Sequence, residues 1–208
     1  MEFYSILLFV NILLLSPVPE KLLPCVESPR DKVVLFNERL EPGFVRKQQV
    51  DILISYNYRH IIEMDVLKLL NGRAYNLHAS LLPLNRGAHP VLWSILHRTP
   101  LGVSVHQLDE GLDTGPILFQ KTLSFTDELL SLRSVYEMVN QELVALFCQN
   151  WSNIRNKSYQ LKKQLGLATV HRSSEADGFL VHLNQSWETT IQEARISYEK
   201  YLEEIRNQ

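Results

Sequence analysis

The residues with the most chemical promise are Asn76 and His78, in the run Tyr75-Asn76-Leu77-His78-Ala79-Ser80-Leu81-Leu82-Pro83. The segment Arg73 to His78 reads as a strand, and strand alternation turns both side chains to one face. An amide beside an imidazole is a useful pair. The amide N–H can stabilise a developing oxyanion, and the imidazole can exchange protons near neutral pH. Such an imidazole needs a carboxylate to hold its tautomer and favour its protonated form. Asp113, within Asp109-Glu110-Gly111-Leu112-Asp113-Thr114-Gly115, is the candidate, because the two glycines allow a sharp turn back to the strand ends. Each residue alone has a plainer reading: a histidine after a strand is commonly a satisfied structural one, and an Asp before Thr-Gly is commonly a turn former. His106, among Val103, Val105 and Leu108, reads as a structural mid-strand histidine. His89 and His97 read as loop and helix surface. No His, Asp or Glu group has metal-ligand spacing on one element.

The elements that must position these residues alternate strand and helix. Strands are expected at Ser5 to Val10, Lys32 to Phe36, Asp51 to Tyr56, Arg73 to His78, Gly102 to Asp109 and Ile117 to Phe125. The run Val50-Asp51-Ile52-Leu53-Ile54-Ser55-Tyr56 is short, apolar and partly β-branched, as a central buried strand is. Ile61 to Leu70 repeats apolar residues at helical spacing and stops at Asn71-Gly72. Val91 to Arg98 reads as a short helix and Glu128 to Ile154 as a long amphipathic one. Strands joined through helices imply right-handed βαβ units, hence an α/β fold with an open, mostly parallel sheet flanked by helices. Ligands in such sheets bind at the carboxyl ends of the strands, where Asn76 and His78 fall. From Arg155 the composition turns polar and basic, Gly166 to Leu183 suggests short strands, and Trp187 to Arg206 a helix.

Composition narrows the function. The chain has 208 residues, 45% hydrophobic and 21% charged, which suits a globular protein with a sizeable core. With 21 Lys+Arg against 23 Asp+Glu the formal charge is -2, which gives no basic field for holding nucleic acid through phosphates. Two cysteines, Cys25 and Cys148, cannot build a multi-bridge scaffold or a cysteine-based zinc site, so the default is a reduced cytoplasmic protein. The apolar block Ile6 to Leu15 is of signal-peptide size, and sequons stand at Asn150, Asn156 and Asn184. The block has Glu2 before it and no basic residue until Lys21, so a buried first strand is the favoured reading.

Asn76-Leu77-His78-Ala79-Ser80-Leu81-Leu82-Pro83, followed by Arg86-Gly87-Ala88-His89-Pro90, resembles the N-x-H-x-S-x-L-P loop of the folate-dependent formyltransferases. Gly102-Val103-Ser104-Val105-His106 leading into Asp113-Thr114-Gly115-Pro116-Ile117 resembles their second hallmark. The resemblance covers roughly Asp51 to Asn150. It implies a Rossmann-like formyltransferase domain over residues 1–154, with residues 155–208 as a C-terminal appendage of short strands and a terminal helix. It further implies Asn76, His78 and Asp113 as the catalytic set, 10-formyltetrahydrofolate as formyl donor, and no metal. The pterin would lie against Tyr58, Arg59, Ile61, Leu108, Asp109 and Asp113, largely through backbone groups. Read from the residues alone, Tyr56, Tyr58 and Arg59 form an aromatic-basic cluster at a strand end, with ordinary packing an equal alternative for the tyrosines.

Three acceptors occur in that family. The methionyl-tRNA enzymes carry a further C-terminal domain longer than this tail. Glycinamide ribonucleotide enzymes hold a phosphate on a Gly-rich turn after the first strand, whereas Asn11-Ile12-Leu13-Leu14-Leu15-Ser16-Pro17 has no glycine. The best fit is the group acting on nucleotide-linked amino sugars, implying a dTDP- or GDP-linked 4-amino-4,6-dideoxyhexose made for surface polysaccharide such as lipopolysaccharide O-antigen. Arg86, beside Gly87, would meet the diphosphate, a solvated loop arginine being the plain alternative. Trp187 would stack on the base or simply pack. The resemblance implies a homodimer; the composition and charge give a cytoplasmic protein with no nucleic-acid partner, and no membrane partner is expected. Two other readings use the same residues: hydrolysis of the formyl-folate by water, and a catalytically idle folate or nucleotide binder.

Overall fold

The computed structural model describes residues 9–124, 127–183 and 186–207. In chain order it contains β1 (Asn11–Leu15), α1 (Leu23–Val26), β2 (Lys32–Phe36), α2 (Pro42–Gln48), β3 (Ile52–Tyr56), α3 (Met64–Leu69), β4 (Ala74–His78), β5 (Arg86–Gly87) and α4 (Pro90–Leu96). There follow β6 (Leu101–Gln107), β7 (Ile117–Leu123), α5 (Leu132–Arg155), β8 (Val170–His171), α6 (Ser173–His182) and α7 (Ile191–Arg206). Six strands form one sheet in the order β2-β1-β3-β4-β6-β7, and β5 and β8 form a separate parallel pair. Among the described residues no helix is long and apolar enough to cross a membrane.

The chain divides into two compact units. One runs to His78 and adds Val105–Phe119 and Val144–Gln164; the other takes Ala79–Ser104, Gln120–Leu143 and the chain from Leu165 onward. In the first unit β1 pairs in parallel with β2 and β3, and β3 with β4. The chain thus goes one way from β1 to β2 and the other way from β1 to β3, so the strand order reverses beside β1. Leu108 N donates to Ala74 O at 2.8 Å and Asn76 Nδ2 reaches His106 Nε2 at 3.3 Å, so β6 runs back past β4. The sheet is mostly parallel, as the alternation of strand and helix predicts.

β1 and β3 read as unbroken apolar runs because both faces are covered: Ile12, Leu13, Leu14, Leu15, Ile52, Leu53 and Ile54 are all fully buried. On one face Leu13, Leu15, Leu53 and Ala74 pack with Val45 of α2 and Val66, Leu67 and Leu70 at α3. Opposite them, Tyr75 points away and its hydroxyl meets that of Tyr159 at 2.6 Å. The end of α5 is fastened by charge, as Arg155 Nε lies 2.8 Å from Asp31 Oδ2. The other Asp31 oxygen accepts from Val10 N at 3.1 Å, tying α5 to the entrance of β1.

The second unit packs α4 with α7 and α6 with α7. Thr190 caps α7 reciprocally with Glu193, whose own carboxylate is held below the usual range by hydrogen bonds from the Thr190 backbone and side chain. Its buried residues include Trp93, Val135, Val139, Phe179, Ile191 and Ala194.

Three expectations need correction. Most of the strand expected at Ser5 to Val10 lies outside the described residues; the first strand is Asn11–Leu15. Asn11 begins it because its N–H donates to Asp51 Oδ2 at 2.8 Å and its Nδ2 to Gln49 O at 2.9 Å, satisfying the polar end of an otherwise apolar strand. The short strands expected over Gly166 to Leu183 reduce to Val170–His171, and Ser173–His182 is helix instead. Gly178 misleads there, since it serves not a turn but the approach of Tyr201, whose hydroxyl a Cβ would strike. The cysteines are not reduced: α1 and α5 bring Cys25 and Cys148 into a disulfide with Cα atoms 5.2 Å apart. The bridge closes a loop with a sequence separation of 123, long enough for the cross-link to restrict the unfolded chain strongly.

Cys148→Ser, or reduction, is therefore expected to cost about 2–4 kcal/mol and to lower Tm by roughly 5–15 °C. Calorimetry with and without a dithiol checks this; an unchanged Tm would mean the bridge does not hold the fold.

Candidate active site

β4 ends at His78, and the site is built on its last three residues. Asn76 and His78 lie on one face, as alternation requires, while Leu77 goes to the core at 3% exposure. β6, adjacent to β4, places His106 beside Asn76. The turn after β6 then brings Asp113 between them. Its Oδ2 lies 3.5 Å from His78 Nδ1, and its Oδ1 lies 3.2 Å from His106 Nε2 and 3.1 Å from Asn76 Nδ2. The carboxylate is 9% exposed and His106 fully buried, so these contacts act with little water between them.

The turn is built for this placement. Asp113 has φ 52°, in the left-handed region that a non-glycine residue adopts at a cost. Asp109 Oδ1 accepts from Gly111 N at 3.1 Å and from Thr114 Oγ1 at 2.6 Å, closing the loop from inside. Gly115 passes directly under the carbonyl oxygen of Gln107, which a Cβ would strike. Gln164 Nε2 donates to Asp113 O and to Gly115 O, both at 2.8 Å, and so clamps the turn from outside.

His106 Nδ1 faces Gln107 O at 3.0 Å. A protonated ring satisfies both that carbonyl and Asp113 Oδ1. A neutral ring carrying its hydrogen on Nδ1 accepts at Nε2 from Asn76 instead. His106 Nε2 and Asn76 Nδ2 thus both lie within hydrogen-bond reach of Asp113 Oδ1 and of each other. His106 is fully buried and hydrogen-bonded, as the structural reading expects, and its ring also touches the polar cluster. Periodicity could not reveal this, because it does not say that β6 neighbours β4. No local signal marks Gln164 either.

The residues expected around a pterin separate into two groups. Tyr58 donates its hydroxyl to Glu38 O and accepts from Leu40 N at 3.0 Å, which ties together the segments following β2 and β3. Burial pushes this hydroxyl up from its ordinary pKa. Leu108 packs against the core and Asp109 holds the turn, so both have structural work. Arg59, on the surface with Nε 3.4 Å from His60 Nε2, and Ile61, 77% exposed, remain open to a ligand. Tyr56 is fully buried and stands apart from any surface cluster. Among the described residues no three His, Cys, Asp or Glu side chains are placed to hold a metal.

In the second unit Arg86 and Gly87 form β5, paired with Val170 and His171 of β8. Trp187 is half-buried, its ring 6.1 Å from that of Tyr136 and its carbonyl accepting from Arg133 N at 2.9 Å. After β1, Ser16-Pro17-Val18-Pro19 contains no glycine, and the stretch Asn11 to Leu15, expected as part of that loop, is the strand itself.

Residues 33–149 match the family described as Formyl transferase. Among solved structures the chain is similar to the formyltransferase PseJ from Anoxybacillus kamchatkensis, in complex with UDP-4,6-dideoxy-4-formamido-L-AltNAc and tetrahydrofolate: identity is 36%, coverage 88% of this chain and 97% of that one, TM-score 0.82. A 4-N formyltransferase from Francisella tularensis shares the fold at 18% identity, covering 82% and 79% with TM-score 0.71. Among curated proteins the methionyl-tRNA formyltransferase of Thermodesulfovibrio yellowstonii is 33% identical over 152 residues, 70% of this chain. The chain spans 48% of that relative's length, and smaller shares of similar ones. On this evidence the chain belongs to the formyl transferase family.

Gly115→Ala is expected to displace the Asp113 turn at a cost of about 1–3 kcal/mol, lowering Tm by roughly 2–10 °C. Thermal melts of the variant check this, and an unchanged Tm would mean that the turn does not depend on the close approach to Gln107.

Proposed function

We propose that the protein transfers the formyl group of 10-formyltetrahydrofolate to the amine of a nucleotide-linked 4-amino-4,6-dideoxy sugar. The observation that carries this reading is the cluster of Asn76, His78 and His106 around the Asp113 carboxylate at the end of β4. The amine nitrogen attacks the formyl carbon and a tetrahedral intermediate forms. Asn76 Nδ2 donates to its oxyanion, and His106, 3.3 Å from the same amide nitrogen, helps to hold that side chain in place. His78, oriented through Nδ1 by Asp113, takes the proton lost by the amine at its other nitrogen and returns it to N10 as the carbon–N10 bond breaks. Arg59 and Ile61 would contact the donor, with Tyr58, Leu108 and Asp109 shaping the surface behind them.

The acceptor class rests on the likeness to PseJ, which spans nearly all of that protein. The sugar nucleotide in that complex is UDP-linked, so UDP joins the dTDP and GDP forms as a candidate. Arg86, with Gly87 beside it, would pair with the diphosphate. Trp187 is the weaker contact, being engaged with Tyr136. A second reading, formylation of methionyl-tRNA, is favoured by the curated relatives. A formal charge of -2 argues against it.

The test is a product assay with 10-formyltetrahydrofolate and a panel of UDP-, dTDP- and GDP-linked amino sugars plus charged methionyl-tRNA, read by mass spectrometry. A formylated sugar nucleotide is expected, and in His78→Ala its rate falls by about 10²–10⁴ with the fold retained. Formyl-tRNA alone, free formate alone, or no turnover with tight folate binding would each replace the reading.

A further inference from the structure

In the second unit a short piece of the C-terminal tail is bonded along the loop that follows the Leu82-Pro83 pair. Arg86 N donates to Thr169 O and Ala88 N to His171 O, both at 2.9 Å, and Thr169 N donates to Pro83 O at 3.3 Å. The Thr169 hydroxyl adds side-chain bonds to the same loop, accepting from Asn85 N at 2.7 Å and donating to Asn85 Oδ1 at 3.2 Å. Asn85 is itself buried and donates to Ser94 Oγ and Thr99 Oγ1, each at 2.8 Å. Every backbone N–H from Asn85 to Ala88 with a bond described above therefore points at residues 169–171.

The tail piece is in turn anchored at His171. Its ring stacks on Trp93 of α4 with centroids 4.3 Å apart and planes 14° from parallel. Its Nδ1 reaches Glu175 Oε2 of α6 at 3.0 Å, a bond that holds the Glu175 carboxyl below its ordinary range. His171 is 8% exposed and Trp93 3%. Neither His171 Nε2 nor Trp93 Nε1 has a hydrogen-bond partner among the described residues, so the imidazole and the indole meet through their ring faces. The Glu175 carboxyl lies on the surface and a bond to it is worth little. By contrast Leu165 and Leu167, just before the strap, are 77% and 80% exposed.

We infer that residues 169–171 are a strap that sets the conformation of the loop Pro83 to Ala88, and that His171 is a positioning residue for the nucleotide-sugar acceptor. The inference rests on the proposed function for the identity of that acceptor. Arg86 and Gly87 take their shape from the strap, and Gly87, at φ 87°, holds a backbone conformation that few other residues adopt without support. Loosening the strap leaves the donor side and the Asp113 cluster unaltered and weakens acceptor binding.

The test uses the full chain with His171→Ala, His171→Phe and Thr169→Val, the last keeping the side-chain shape and removing only the hydroxyl bonded to Asn85. Amide exchange at Arg86 and Ala88 is measured beside steady-state kinetics. In His171→Ala, exchange at both amides and the acceptor KM are expected to rise about tenfold, with kcat and the folate KM within about twofold. His171→Phe keeps the ring stack and restores both, and Thr169→Val gives a smaller change of the same kind. Unchanged exchange in His171→Ala, a fall in kcat at constant acceptor KM, or failure of His171→Phe to rescue would each overturn the inference. Should His171→Ala not fold, Thr169→Val decides on the same readings. If the unaltered protein formylates no nucleotide sugar, the proposed function and the acceptor role of His171 fall together, while exchange alone decides whether the strap exists.

Discussion

One buried carboxylate organises the first unit's chemistry. A charge as enclosed as that of Asp113 is costly unless every lone pair finds a donor, and here an amide and two imidazoles surround it. Each of those partners is in turn held by backbone: Asn76 and His78 by β4, His106 by β6. The turn that delivers Asp113 meets the same demand through Gly115, Asp109 and Gln164. Side chains that would compete for water in an open loop thus face one another at fixed distances. This is the preorganisation that catalysis by positioned dipoles requires.

The sheet makes the meeting possible. Its order reverses between β1 and β3, and β4, joined to β3 through α3, ends beside β3, so the carboxyl ends of both carry candidate residues. β6 runs back along β4, which sets His106, near the end of β6, beside Asn76 at the middle of β4. The fully buried residues of β1 and β3 give this arrangement a rigid floor. The Asp31–Arg155 pair and the Cys25–Cys148 bridge fasten α5 to the same unit.

Much of this was legible in the sequence, and the reasons differ by element. β2, though none of its residues is buried, falls where its apolar run predicts, and the buried strands β3 and β4 start one residue later than expected, because such a strand leaves a compositional trace. Asn76, His78 and Asp113 could be singled out because strand alternation and a glycine-bearing turn are local properties. That His106 also meets Asn76 and Asp113 was not legible, since those partners lie across a strand pairing and a turn that periodicity does not encode. Gln164 and the strap at Thr169 and His171 act over long sequence separations and leave no local pattern. Helix α6 was hidden by Gly178, whose presence is explained only by Tyr201 packing against it. The disulfide was missed because spacing alone cannot say whether two distant cysteines meet.

The chain belongs to the formyl transferase family, and the proposed chemistry rests on Asp113. The most direct measurement is a single-turnover formyl-transfer rate for Asp113→Asn with donor and acceptor both saturating. The side chain keeps its shape and loses its charge, so orientation and stabilisation of the His78 proton are removed without a cavity. The rate is expected to fall by about 10²–10⁴, with Tm little changed. Transfer at the unaltered rate would contradict the account, because the carboxylate would then be holding a fold and not a reaction.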